Sequence, residues 1–249
     1  MLKFSPMGQN AKLVKLLKAK GINGRNAYTF SMLAGVACPG AKDCKSQAVV
    51  QSDGTMRIRD GKHTIFRCFS ASQEVLFPAV YNQRKHNLDT IRACGNNLNK
   101  LIVAIDESLP QNAQLVRIHI SGDFVTQNYF DAWCVVAKRR PNCQFYAYTK
   151  SLPFWVKRRY IIPENFVLTA SRGGRYDYLI DGHNLREALV VGTIEQAEEL
   201  GLPIDHTDEL AMDRSVHKFL LLVHGSQGVN LPFNKYIKRG RNKSLHLTG

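Results

Sequence analysis

The sequence predicts an α/β fold: mostly parallel strands in a sheet that is either open or curled into a partial (β/α) barrel. Three observations carry this. From Val116 onward, short apolar runs alternate with helical patterns, as right-handed β-α-β units require. No linker rich in Gly, Pro or Ser and no internal period divides the chain. Polar residues recur just past the apolar runs, where parallel strands present their carboxyl ends to ligands.

Taken in order, Asn10 to Lys20 sets Leu13, Val14, Leu16 and Leu17 on one side and lysines on the other. That is an amphipathic helix, stopped by Gly21. Tyr28 to Ser31 reads as a first strand. Gln47 to Gln51 and Thr55 to Arg59, joined around Ser52-Asp53-Gly54, read as a small β-hairpin insertion. A helical pattern runs from Cys68 through about Glu107, with a break near Tyr81-Asn82. Strands then follow at Val116–Ile120, Gln144–Tyr148, Phe166–Ala170, Ala188–Val191 and Phe219–Val223. Helices fall at Gln127–Arg139, Leu152–Tyr160 and Ile194–Leu200. The organisation expected is a basic helical segment over 1–25, one α/β domain over 26–232 and a basic tail over 233–249.

With 249 residues, 44% of them hydrophobic, the chain can bury a full core. No apolar run long enough to span a bilayer and no signal peptide is visible, so the expectation is a cytoplasmic protein with no membrane contact. In that reducing compartment six cysteines read as thiols or metal ligands rather than disulfides. The net charge of +14 is uneven: residues 1–70 carry 12 Lys/Arg against 3 Asp/Glu, and residues 233–249 carry 5 against none. Basic termini of this kind, with Tyr236 beside the tail lysines, fit a nucleic-acid backbone; a solvated tail is the bland alternative.

The stretch from Cys38 to Cys68 organises the chemistry. Cys38 and Cys44 lie in V-A-C-P-G-A-K-D-C and Cys68 in T-I-F-R-C-F-S-A-S. If the hairpin folds back, it brings Cys68 beside the first pair. Three thiolates suit a metal centre; with His63 they would suit a closed zinc site, and a set that binds no metal stays open on spacing alone. Cys94 is expected to be packed or exposed without function, and Cys134 and Cys143 to be small core residues.

The strand ends supply the other candidates. In V-R-I-H-I-S-G-D-F, Val116, Ile118 and Ile120 alternate with Arg117, His119 and Ser121 before Gly122-Asp123. Thr149 and Lys150, then Thr169, Ser171 and Arg172, then Thr193, then His224 close later strands. Such a set favours a polar or anionic ligand. Its bland reading is structural: Arg117 and His119 satisfied by a carboxylate and a carbonyl, and Gly173-Gly174 as a turn.

These motifs, with T-F-S-M-L-A-G before the cysteines, F-Y-A-Y-T-K-S-L-P-F-W and F-V-L-T-A-S-R-G-G, resemble the phage and plasmid family named after gene product 88, over roughly residues 26–228. More distantly, the order of features is similar to radical S-adenosylmethionine (SAM) proteins. That likeness implies a radical SAM-like partial barrel in which Cys38, Cys44 and Cys68 bind three irons of a [4Fe-4S] cluster and SAM meets the fourth. Ser121-Gly122-Asp123 would stand for the Gly-Gly-Glu turn, and Thr149-Lys150-Ser151 for the Thr-Asn-Gly of the third strand. Asp123 would accept from the SAM amino group, Ser121 and Thr149 would donate to its carboxylate, and Arg117 or Lys150 would offset negative charge. Gly122, Ser171 and Arg172 would complete the cofactor pocket. His119 and His224 would handle substrate protons, with Asp123 and Lys150 as further catalytic candidates. The chain departs from the usual C-x3-C-x2-C, because five residues separate its first two cysteines and twenty-three the next two. The competing class is a metal-stabilised nucleic-acid-binding protein without turnover.

Overall fold

A computed structural model describes residues 1–9 and 11–223. In chain order its strands are β1 (Ser5–Pro6), β2 (Ala27–Phe30), β3 (Ser46–Val50), β4 (Met56–Asp60), β5 (Leu115–Ile118), β6 (Gln144–Thr149), β7 (Phe166–Ser171), β8 (Glu187–Val191) and β9 (Lys218–Leu222). The helices are α1 (Ala11–Ala19), α2 (Phe69–Leu76), α3 (Pro78–Ala93), α4 (Leu98–Ser108), α5 (Gln127–Arg139), α6 (Leu152–Val156), α7 (Tyr178–His183), α8 (Ile194–Leu200) and α9 (Glu209–Met212). β3 and β4 make a separate antiparallel ribbon. The rest form one sheet in the order β1-β2-β5-β6-β7-β8-β9, parallel throughout except for the short edge strand β1. Strand order therefore follows chain order, and each crossover steps the same way. Among the described residues β1 and β9 remain the edges, so the sheet is open and no closed barrel forms.

Both faces of the sheet are covered, and the period-two alternation decides which residue serves which face. On one face Leu88, Ile91, Leu101, Ile105 and Trp133 from α3, α4 and α5 pack on Phe30, Val116, Ile118, Phe145 and Phe166. On the other, Leu13, Leu16 and Leu17 of α1 and Met212 of α9 pack on Ala27, Leu115, Tyr146, Val167 and Phe219. Burying each such large side chain stabilises by roughly 1.5–3 kcal/mol. The N-terminal helix is thus part of the main core. Ala27 and Leu115 are the first residues of β2 and β5, so α1 sits at the amino end of these strands.

Several boundaries differ from the sequence reading. The long helical stretch breaks at Phe77-Pro78 rather than near Tyr81, because a residue before proline is pushed to extended backbone, and Phe77 has φ −127 and ψ 92. Val14 is 43% exposed, off the buried stripe of α1. Helix α6 stops at Val156, and β1, α7 and α9 had no clear pattern. The strand expected to reach Ile120 ends at Ile118, since His119 adopts a left-handed φ of 62. No described helix is long and apolar enough to cross a membrane. His224 and the basic tail lie outside the described residues.

Candidate metal centre at the carboxyl ends of the strands

The loop after β2 carries Cys38 and Cys44 across the carboxyl ends of β5, β6 and β7. Its anchors are backbone hydrogen bonds. Met32 N donates to Ser121 O at 2.9 Å, Asp123 N to Ala37 O at 2.7 Å and Asp43 N to Gly173 O at 3.0 Å. Ala41 pairs with Gly174 in an isolated bridge. Two glycines permit this closeness. A Cβ on Gly40 would stand 2.1 Å from the Lys150 carbonyl oxygen, and one on Gly35, whose φ is +69, would stand 2.3 Å from that of Ser46. The Lys45 ammonium ties the loop from inside, donating to Gly35 O at 2.6 Å and Cys38 O at 2.7 Å.

Cys68 arrives from the far side of the ribbon. β3 and β4 pack against α2, and Ile65 and Phe66 donate their N–H groups to Asp43 O at 2.7 and 3.1 Å, hooking the return segment onto the cysteine loop. Cys68 then caps the start of α2, its own N–H donating to Ser46 Oγ at 3.2 Å. All three cysteines are half-buried free thiols. They lie near enough to act on one another's charge. Burial pushes the Cys38 thiol well up, with Cys68, Asp123 and Cys44 adding to it. Burial likewise pushes Cys68 up to about 11, with Cys44 adding and the Ala71 and Ser70 amides opposing. Yet among the described residues no three His, Cys, Asp or Glu side chains close on one point as a single ion needs. His63 is exposed and stands by Asp43, whose carboxyl is raised first by burial, while Lys42, Lys150 and His63 oppose the rise.

The polar strand-end residues do converge here, but largely on each other. Asp123 is buried, its Oδ1 accepting from Phe124 N at 2.7 Å and Thr149 Oγ1 at 2.6 Å, and its Oδ2 from Lys150 N at 2.8 Å. Burial raises this carboxyl and those hydrogen bonds pull it back. Ser121 Oγ donates to Glu74 Oε1 at 3.1 Å. The Lys150 ammonium places its protons on Ser171 O, Ser171 Oγ and Arg172 O, at 2.7, 2.9 and 2.7 Å. Arg172 pairs with Glu187 and Asp181. The Gly173 and Gly174 amides are taken by the Asp177 carboxylate at 2.8 and 2.9 Å, so this turn clamps the cysteine loop and offers no phosphate cradle. Gly122, with φ +85, turns the chain against Met32.

Two expected members stand elsewhere. The left-handed backbone turns His119 away from the Arg117 face and into the helix-side core, against Phe30 and Phe124, where its Nε2 meets the Tyr129 hydroxyl at 3.0 Å. Burial pulls its pKa down to about 3, so the ring is neutral near pH 7 and sits apart from the thiols. Arg117 faces the other side of the sheet, in a pair with the fully buried Asp208 at 2.5 Å that Tyr146 also joins at 3.1 Å. Its charge is already offset. Cys134 and Cys143 are core residues, as expected, and Cys94 lies half-buried on the same helical layer.

Glu74, six residues past Cys68, is not among the candidates that the sequence offers. Its Oε1 accepts from Ala34 N at 2.9 Å, Arg84 Nη1 at 3.0 Å and Ser121 Oγ at 3.1 Å, joining the helix of Cys68 to both the first loop and the end of β5. Oε2 is buried without a hydrogen-bond partner. A Glu amid a helical pattern with small neighbours carries no mark that separates it from a surface acid; only its spacing from Cys68 connected it to the site. No curated protein and no solved structure matches the chain. The family model described as gene product 88 matches residues 2–243, and the order of cysteine loop, Cys68 helix and clamped strand ends is thus that of a chain belonging to the gene product 88 family.

Proposed function

We propose that Cys38, Cys44 and Cys68 hold an iron-sulfur cluster at the carboxyl edge of the sheet. On this reading the open sheet is a partial barrel that works, in the manner of radical SAM enzymes, on a polar or nucleic-acid-related substrate. One observation carries it: three free thiols from distant parts of the chain share one electrostatic neighbourhood, on segments that Asp43 O joins through the Ile65 and Phe66 amides.

The donor chemistry fits, since soft thiolates are the ligands such clusters use. Bound there, the cluster would supply the electron for reductive cleavage of SAM. The chain's own residues act as a frame. Gly40 and Lys45 hold the cysteine loop down, Asp123 fixes the ends of β5 and β6 below Cys38, and Lys150 ties β6 to β7. The fit to SAM is narrower. Ser121, Asp123, Thr149, Lys150 and Arg172 already have internal partners, and Ser171 Oγ accepts from the Lys150 ammonium.

The test is the iron, sulfide and zinc content of anaerobically purified protein, with Cys68→Ala and the core control Cys134→Ala alongside. About four irons and four sulfides per chain, lost in Cys68→Ala and kept in Cys134→Ala, is the expected result. Stoichiometric zinc or no metal would remove the cluster. Formation of 5'-deoxyadenosine from SAM under reduction is the separate test of radical chemistry. A metal-stabilised nucleic-acid-binding protein is the second reading, favoured by the charge excess at the chain ends.

A further inference from the structure

The ribbon between Cys44 and Cys68 has two unlike faces. Ser46 and Ala48 are buried on the face toward α2. The other face presents Gln47 and Val49 on β3 opposite Arg59 and Arg57 on β4, by the register of the pair. Both arginines are exposed, and no described carboxylate lies within ion-pair distance of either. The carboxylates nearby are committed: Asp60 to Arg67 at 2.8 Å, and Asp53 to the turn at Thr55. With its amide oxygen turned toward β4, Gln47 accepts from Arg59 Nη2 and, at 2.9 Å, from Arg59 Nε, a neutral partner that leaves the guanidinium charge uncancelled. Lys62, just past β4, is exposed as well. A hollow of about 460 Å³ opens on the ribbon between Val49–Ser52 and Arg57–Arg59.

We infer that this outer face binds the phosphate backbone of a nucleic-acid strand and presents it to the cysteine loop. Residues two apart on one strand project to the same side about 7 Å apart. Guanidiniums so spaced can each meet a successive phosphate of one strand, whereas an acidic protein or an anionic membrane has no such repeat. A two-stranded ribbon also has the width that a major groove admits. Position adds to the case: both strands enter and leave the ribbon at one base, where Ser46 pairs with Asp60, so Cys44 and the return segment to Cys68, hooked to Asp43, lie together there. By contrast Lys18 and Lys20 lie at the opposite, amino end of the strands, where Ile22 N donates to Leu17 O and Leu17 approaches Gly24 just before β2.

The inference gives the cysteine site its substrate class and so rests on the reading above for its meaning in catalysis, but binding is measured without it. Full-length protein is titrated onto a labelled single-stranded oligonucleotide and onto its duplex, followed by fluorescence anisotropy across a salt series. Two variants remove the same charge at opposite ends: Arg57→Ala with Arg59→Ala, and Lys18→Ala with Lys20→Ala, all at exposed positions. The single variant Arg57→Ala and a thermal melt of each guard against misfolding. The expected result is that the ribbon double variant lowers the slope of log K against log salt by about 2 on duplex, and the single variant by about 1. The α1 variant should move the slope less. An unchanged slope in the ribbon variants, an equal loss in the α1 variant, or wild-type binding insensitive to salt overturns the inference. Iron is measured on the same samples. Absent iron with the ribbon effect intact removes only the cluster, and bound iron without the ribbon effect removes only this inference.

Discussion

The carboxyl and amino ends of the parallel strands are built on different physics. At the amino end α1 presses Leu13, Leu16 and Leu17 against Ala27 and Leu115, and that contact is apolar. At the carboxyl end the cysteine loop lies backbone to backbone on the end of β6 through Gly40 and on the ribbon through Gly35, and is held by buried charge at Glu74, Asp123 and Lys150. The difference shows what a polar strand end means. Asp, Thr, Ser and Lys gathered there spend their hydrogen bonds on holding the loop that carries two of the thiols.

The largest expected effect tests the buried charge. Glu74→Ala should destabilise by about 3–5 kcal/mol, because it leaves the Arg84 guanidinium buried and two further donors without their acceptor. Glu74→Gln should recover part of that. Urea denaturation measures both, and a loss below about 1 kcal/mol would mean that the pair behaves as a surface ion pair.

Next come two glycines, one at each end. Gly40→Ala must displace the Lys150 carbonyl and should cost about 1–3 kcal/mol, together with the metal if the loop lifts. Gly21→Ala, with φ +63 and no atom within 4 Å, should cost only the left-handed backbone, about 1 kcal/mol, and leave metal content unchanged. Equal losses in the two variants would erase the distinction between the ends.

The last expected effect concerns pH and is read as a slope. His119 titrates at about 3 in the folded chain against an ordinary 6.5, so the unfolded chain takes up the proton first as pH falls. Its contribution is complete above pH 6.5 and is lost progressively toward pH 3, by at most about 1.4 kcal/mol per pH unit. His119→Asn, which tolerates the left-handed φ, should flatten that part of the stability profile. A profile between pH 6.5 and 4 identical to wild type's would place the imidazole in water.

Much was legible in the sequence. The alternation after Val116, the hairpin around Asp53-Gly54 and the helix before Gly21 come from periodicity and turn residues, which act locally. The helix break is local too, but it lies at Phe77-Pro78 and not near Tyr81-Asn82, because proline acts on the residue before it. His119 was misplaced because a single left-handed residue reverses the face that alternation assigns, and histidine does not announce that conformation as glycine does.

What the sequence by itself determined is the family, the α/β order of elements and the identity of the three thiols, since each rests on residue types in fixed succession. Tertiary structure alone decided that the thiols share one neighbourhood, that the hydroxyls and the ammonium beside them are already engaged, and that Glu74 belongs among them. The reason is physical: a hydrogen bond or a Coulomb interaction depends on distance in space, and the loops that set those distances join residues tens of positions apart.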